Sequence, residues 1–309
     1  MFYNTFISIA ILIIFMGVGY FSGFIKFITD EVNEGLNKII LNITLPCMII
    51  ASFKQEYNTP GVYENMLILF ILYIIFKAIW FIISLILYKK NKDHNVSTNR
   101  FSILFPNCGY MGIPVSQAVF GNQVLIYTAI YIMFFNIFTY SLGIGIYRGS
   151  GKINVKENVR IMLNPVIFSV FIGLGIFVLK ITLPQILLNP ITSLGNMTTP
   201  LSFIVIGYSL TKSSLKEVIK GKAQYIICAL KLIVIPITAL LIFRPFLGNN
   251  LILNDFVIIE AMPVAAVAIV FANNFKKQES EYASKVTFLT TILTIVTVPL
   301  IAFIISIWR

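Results

Sequence analysis

Apolar runs close to twenty residues long, separated by short polar connections, succeed one another along the whole chain, and nothing else in the sequence limits the fold as much. As a helix, a run of that length covers roughly 30 Å of hydrocarbon. The runs lie near 6–25, 39–53, 66–88, 101–120, 124–147, 161–179, 191–210, 223–243, 252–275 and 286–308. They predict an all-α polytopic membrane protein of ten transmembrane helices. Of the 309 residues, 58% are hydrophobic and 11% charged, against about 45–50% and about 25% in a soluble domain. No stretch is left for a separate water-soluble domain.

The formal net charge of +11 is read as topology and not as a nucleic-acid surface, because the cations sit in short clusters between runs without interleaved aromatics. The odd-numbered connections hold 17 Lys and Arg residues; the even ones hold only Lys54, Lys180 and Arg244, and Arg309 ends the chain. The positive-inside rule then puts the odd connections in the cytoplasm and both termini outside, which requires an even number of spans. The first run lacks the basic start and cleavage site of a signal peptide and is expected to be a retained helix. Abundant Ile, Asn and Lys suggest a bacterial plasma membrane.

No catalytic or metal motif is present, so neither an enzyme nor a cofactor is expected. His94 stands alone in a polar stretch, and Cys47, Cys108 and Cys228 fall inside apolar runs as packing residues.

Two runs are interrupted. Asn107-Cys108-Gly109-Tyr110-Met111-Gly112-Ile113-Pro114 places two glycines, an amide and a proline inside the fourth, and Glu260-Ala261-Met262-Pro263-Val264 breaks the ninth. In hydrocarbon an unpaired backbone group costs several kcal/mol, so both breaks are expected to line a cavity; a pair of packed proline kinks is the plainer alternative. Lys77 and Lys231 are 154 residues apart, the same offset that relates Asn42-Ile43-Thr44-Leu45-Pro46 to Asn196-Met197-Thr198-Thr199-Pro200. Two five-helix halves, 1–150 and 151–309, inserted with opposite orientation, account for this spacing together with the charge pattern.

The segment Asn107 to Pro114, followed by Phe120-Gly121, resembles the signature of the auxin efflux carrier family, which includes the plant PIN carriers and bacterial malate and malonate permease-like proteins. Ala261-Met262-Pro263 with Val270-Phe271-Ala272 is similar to that family's ninth-helix segment. The resemblance covers essentially the whole chain. It implies an inverted 5 + 5 repeat whose broken helices four and nine cross at the substrate site, with spans 3–5 and 8–10 as a transport domain moving against a scaffold of spans 1, 2, 6 and 7. The chain lacks the long cytoplasmic loop of many plant members.

The residues expected to contact substrate are Asn107, Gly109, Gly112, Pro114, Ala261, Met262 and Pro263, with Lys77 and Lys231 as charge partners. Half-helices beginning near Pro114 and Pro263 would point free N–H groups at an anion, and Gly109 and Gly112 would allow close backbone approach. A buried ammonium costs at least roughly 2.5–3.5 kcal/mol at a helix centre, so the two lysines either serve the substrate or are held by an internal salt bridge or by carbonyls freed at the breaks. Glu260, read as the one carboxylate well inside a run while Glu64 and Asp255 sit at span ends, is a coupling-ion candidate or a fixed partner for a lysine. Weaker signals are the stripe Thr287, Thr290, Thr294 and Thr297, the pair Asn136 and Thr139, kinks at Asn42, Thr44, Asn196 and Thr198, and interfacial anchoring by Tyr147 and Trp308.

The expected function is alternating-access transport of small organic anions, such as mono- or dicarboxylates or auxin-like acids. The alternatives are a sodium-coupled symporter of the bile-acid carrier type and a membrane ligand sensor without turnover. Expected partners are the anion, the lipid bilayer, a proton or sodium ion, and a second copy through the scaffold helices; nucleic acid and metal are not expected.

Overall fold

The computed structural model describes residues 2–53, 61–89, 95–149, 165–211 and 222–307. Lys54, Lys90, Lys92, His94, Lys152, Lys156, Arg160, Lys212, Lys216, Lys220, Trp308 and Arg309 lie outside them. All regular structure among the described residues is helical: α1 (Phe2–Phe24), α2 (Asp30–Ile39), α3 (Leu45–Ser52), α4 (Val62–Leu87), α5 (Val96–Leu104), α6 (Ile113–Phe120), α7 (Leu125–Phe138), α8 (Ile144–Arg148), α9 (Pro165–Val178), α10 (Gln185–Asn196), α11 (Thr198–Leu210), α12 (Lys222–Ala229), α13 (Ile235–Leu247), α14 (Leu251–Glu260), α15 (Val267–Phe275) and α16 (Ser280–Ile307). Among the described residues six stretches are long and apolar enough to cross a membrane, Ile7–Phe24, Asp30–Ser52, Val62–Leu87, Asn122–Arg148, Gln224–Leu247 and Lys277–Ile307, and Pro165–Val178 is a shorter apolar helix. This is an all-α polytopic membrane protein.

Prolines and caps decide where helices start and widen. The second helical stretch begins nine residues before its apolar run because Thr29 Oγ1 accepts from the Val32 N–H at 3.4 Å and Asp30 and Glu31 occupy the first turn, where the helix end favours anions. Lys38, expected in a connection, is therefore helical. Single π turns at Ile40–Thr44, Cys108–Gly112 and Leu230–Val234 end two residues before Pro46, Pro114 and Pro236. A proline has no N–H and its ring collides with the carbonyl four residues back, and the wider turn relieves that collision without ending the helix. A fourth π turn, Thr139–Gly143, joins α7 to α8. Both Asn-x-Thr-x-Pro segments fall on irregularities, one on the first π turn and the other at Met197 between α10 and α11.

The chain forms two compact units. The first contains residues Met1–Leu67, Gly109–Met133 and Leu163–Lys212. In it α1 and α11 pack backbone to backbone: a Cβ built on Gly207 would lie 2.0 Å from the Met16 carbonyl oxygen, and one on Gly19 2.0 Å from that of Ile204. Gly195 of α10 similarly meets the α3 backbone at Met48, and Gly173 of α9 meets the Phe53 ring. Small residues let helices approach closely where there is no hydrophobic gain over lipid to drive them together.

The second unit contains Ile68–Cys108, Phe134–Met162 and Ser213–Arg309. Its core is aromatic. Phe76 stacks edge-on against Phe256 at 5.4 Å and Phe243 closes the group, while Phe101, Phe105, Tyr147 and Phe271 form a second cluster. Tyr147 is wholly buried and its hydroxyl lies 3.2 Å from Thr98 Oγ1, so it is a core residue and not the interfacial anchor expected from its place near a span end.

Candidate functional site

The break in the fourth run is centred on Phe105-Pro106-Asn107, upstream of the glycines that mark it in the sequence. Phe105 is extended, with φ −118° and ψ 102°, because a residue preceding proline is driven out of the helical region. Pro106, not singled out from the sequence, is what ends α5; the rule for the residue before proline was the available signal. In the ninth run α14 stops at Glu260, and helix resumes only at Val267, four residues later than expected from Pro263.

The two breaks satisfy each other. Pro106 and Val264 form an antiparallel bridge in which the Asn107 N–H donates to the Pro263 carbonyl at 2.7 Å and the Ala265 N–H to the Phe105 carbonyl at 3.0 Å. The Val264 N–H donates to Thr290 Oγ1 at 3.2 Å, which gives one member of the α16 threonine stripe a specific task. The N–H groups of Asn107, Val264 and Ala265 are thus spent within the protein. Each buried pair avoids leaving polar groups dry in a membrane interior.

Beside this bridge lies a fully buried charge cluster. Lys77 Nζ, from α4, donates to Glu260 Oε1 at 2.6 Å and Oε2 at 2.9 Å, and to the Leu104 carbonyl at 2.6 Å. Leu104 and Glu260 are the last residues of α5 and α14, and helix C-termini favour a cation. Lys231, in the π turn Leu230–Val234, places its Nζ 3.7 Å from Glu260 Oε2 and makes no hydrogen bond. Side-chain exposures are 4% for Lys77 and 0% for Lys231 and Glu260. Two ammonium groups therefore face one carboxylate. Lys77 takes both structural options open to it, the salt bridge and the freed carbonyl; Lys231 has neither in full.

A model of the family described as membrane transport protein matches residues 4–302 of the chain. The chain belongs to this auxin efflux carrier family. At 24% identity over 303 residues it is similar to Uncharacterized transporter MJ1031 of Methanocaldococcus jannaschii, covering 94% of this chain and 96% of that protein. An Uncharacterized transporter of Methanothermobacter thermautotrophicus is 24% identical over 301 residues, 96% of each chain. Uncharacterized transporter YfdV of Escherichia coli K12 is 21% identical over 274 residues, 85% of this chain and 86% of YfdV.

Within this auxin efflux carrier family chain, the structure brings Asn107, Ala261, Met262, Pro263, Lys77, Lys231 and Glu260 into the second unit, with Ala261 and Met262 wholly buried. Gly109, Gly112 and Pro114 belong to the first, in the π turn and α6. A Cβ built on Gly109 would meet Leu45 Cδ2 at 4.0 Å, ordinary contact, so no protein neighbour requires glycine there. Asp255, expected at a span end, lies inside α14 and is buried.

Glu279 carries no signal in the sequence that marks it as buried. It is 1% exposed, and its Oε2 accepts from the Thr98 N–H at 2.7 Å in the first turn of α5, while Lys276 Nζ donates to Ser97 Oγ at 2.7 Å. A buried carboxylate thus caps the half-helix whose other end presents Leu104 to Lys77. Glu279→Ala should lower unfolding stability by about 1.5–3 kcal/mol, the value of a hydrogen bond to a charged group. Thermal unfolding in detergent reads this directly.

Proposed function

We propose that the chain is a carrier of small organic anions, mono- or dicarboxylates, working by alternating access. In this reading ten spans form inverted halves, 1–150 and 151–309, with both termini outside. Spans 1, 2, 6 and 7 serve as scaffold and spans 3–5 and 8–10 carry the site.

The observation that carries the anion reading is Lys231. Its buried ammonium lies near the paired breaks, its one carboxylate is already bonded twice to Lys77, and it donates no hydrogen bond. Helix C-termini contribute about 0.3–2 kcal/mol toward holding a cation there, against several kcal/mol for removing an ammonium from water. An anionic guest supplies the difference, and a carboxylate offers the acceptors that Lys231 lacks.

Sodium coupling draws less support. The oxygens best placed to hold a sodium ion, both of Glu260 and the Leu104 carbonyl, already receive the Lys77 ammonium. In proteoliposomes, counterflow of labelled mono- and dicarboxylates should proceed when sodium is replaced by N-methylglucamine, and the corresponding neutral amides should not move. Flux that requires sodium would favour the symporter reading. Amides moving as fast as the acids would remove the charge argument.

A further inference from the structure

Away from the charge cluster, an open groove of about 460 Å³ runs along the outer surface of the second unit, lined by Ile82, Leu85, Ile86, Tyr88, Lys89 and Arg100. Its floor is aliphatic and exposed: Ile82, Leu85 and Ile86 of α4 are 56%, 42% and 68% accessible. Lys89 and Arg100 contribute two positive charges, and no described carboxylate forms an ion pair with either. Arg100 rests its guanidinium 5.6 Å from the Phe81 ring centre, and its Nε is buried without a hydrogen-bond partner.

An aliphatic channel beside two cations and a tyrosine matches a molecule with an acyl chain joined to an anion. We propose that this groove is a binding site for an anionic phospholipid, with the acyl chain against Ile82, Leu85 and Ile86 and the phosphate at Lys89 and Arg100. A diffuse cationic surface would attract any anion, whereas the contiguous aliphatic floor selects one that carries a chain. Arg100 suits the headgroup because its planar fork can hold two phosphate oxygens at once. In the orientation proposed above, this end of α4 faces the cytoplasmic leaflet, where anionic lipid is concentrated; the leaflet, though not the site, rests on that reading.

The position gives the lipid a consequence. The groove lies where α4 meets α5, and the same two helices are tied by the bond from Lys77 to the Leu104 carbonyl, one turn beyond Arg100. A lipid held there braces α4 against α5 and so steadies the end of α5 that receives Lys77.

Native mass spectrometry of the purified full chain tests the site with no transport assay, so its outcome is independent of the substrate proposal. Wild type should retain phosphatidylglycerol in preference to phosphatidylcholine of the same chains. At about fivefold per surface cation, a Lys89→Gln/Arg100→Gln double variant should lose roughly 25-fold in apparent affinity. Ile86→Trp, which keeps both charges and fills the groove, should also lose the adduct, and it serves as the test if the double variant does not fold. Inorganic phosphate and glycerol 3-phosphate should neither stabilise the protein nor displace the lipid. Equal retention of the two lipids, retention unchanged in Ile86→Trp, or stabilisation by phosphate alone would overturn the proposal.

Discussion

Replacing Glu260 by glutamine should cost about 3–5 kcal/mol of stability, whereas replacing Lys231 by methionine should leave the protein folded and at least as stable as wild type. The opposite signs follow from charge and hydrogen bonding. Glu260 pairs with both buried lysines, and Lys77 donates to both of its oxygens. Neutralising it strands two ammonium groups in a site with 4% exposure at most. Lys231, by contrast, sits 3.7 Å from Glu260 and donates to nothing. Methionine matches its length, is apolar, and removes a buried charge without orphaning another, because Lys77 still neutralises Glu260. Unfolding midpoints of both variants in one detergent decide the point. If Lys231→Met fell as far as Glu260→Gln, the 3.7 Å contact would be a structural ion pair and the anion argument would lose its basis.

An equally large effect is expected far from any charge. Gly19→Ala should destabilise the first unit by about 3 kcal/mol or more, at the upper end for overpacking, because the added carbon would stand 2.0 Å from the backbone oxygen of Ile204, which cannot rotate away as a side chain would. Gly207→Ala should do the same against Met16. The control lies two residues along α1: a Cβ on Gly17 meets nothing within 4 Å, so Gly17→Ala should be neutral or gain up to about 1 kcal/mol from helix propensity. If Gly17→Ala and Gly19→Ala shifted the unfolding temperature alike, the contact between α1 and α11 would be looser than these distances require.

What the sequence disclosed was mostly chemistry that hydrocarbon makes expensive. Lys77, Lys231 and Glu260 stood out because ionised groups inside apolar runs need a reason, and all three occupy one cluster. Prolines marked backbone irregularities at Pro46 and Pro114, while the equivalent turn before Pro236 was not singled out. The sequence could not say which lysine the carboxylate would hold, since that depends on α5 presenting the Leu104 carbonyl beside α4. It could not show that the Asn107 and Ala265 N–H groups are consumed by the opposite break, because that is a pairing between segments about 158 residues apart. Glu279 escaped notice and Tyr147 reads as an interfacial anchor for a related reason: each sits where local composition looks like a connection or a span end, and packing against α5 buries it. Gly19 and Gly207 gave no sign at all, one glycine among many in an apolar helix.

The most direct test of the account is counterflow of a labelled carboxylate in proteoliposomes holding equal amounts of folded wild type and Lys231→Met. Flux is expected with wild type and a loss of at least about 100-fold in the variant, the size expected when a buried charge-assisted hydrogen bond to the guest is removed, about 3 kcal/mol. Lys231→Met carrying the carboxylate at the wild-type rate would contradict it.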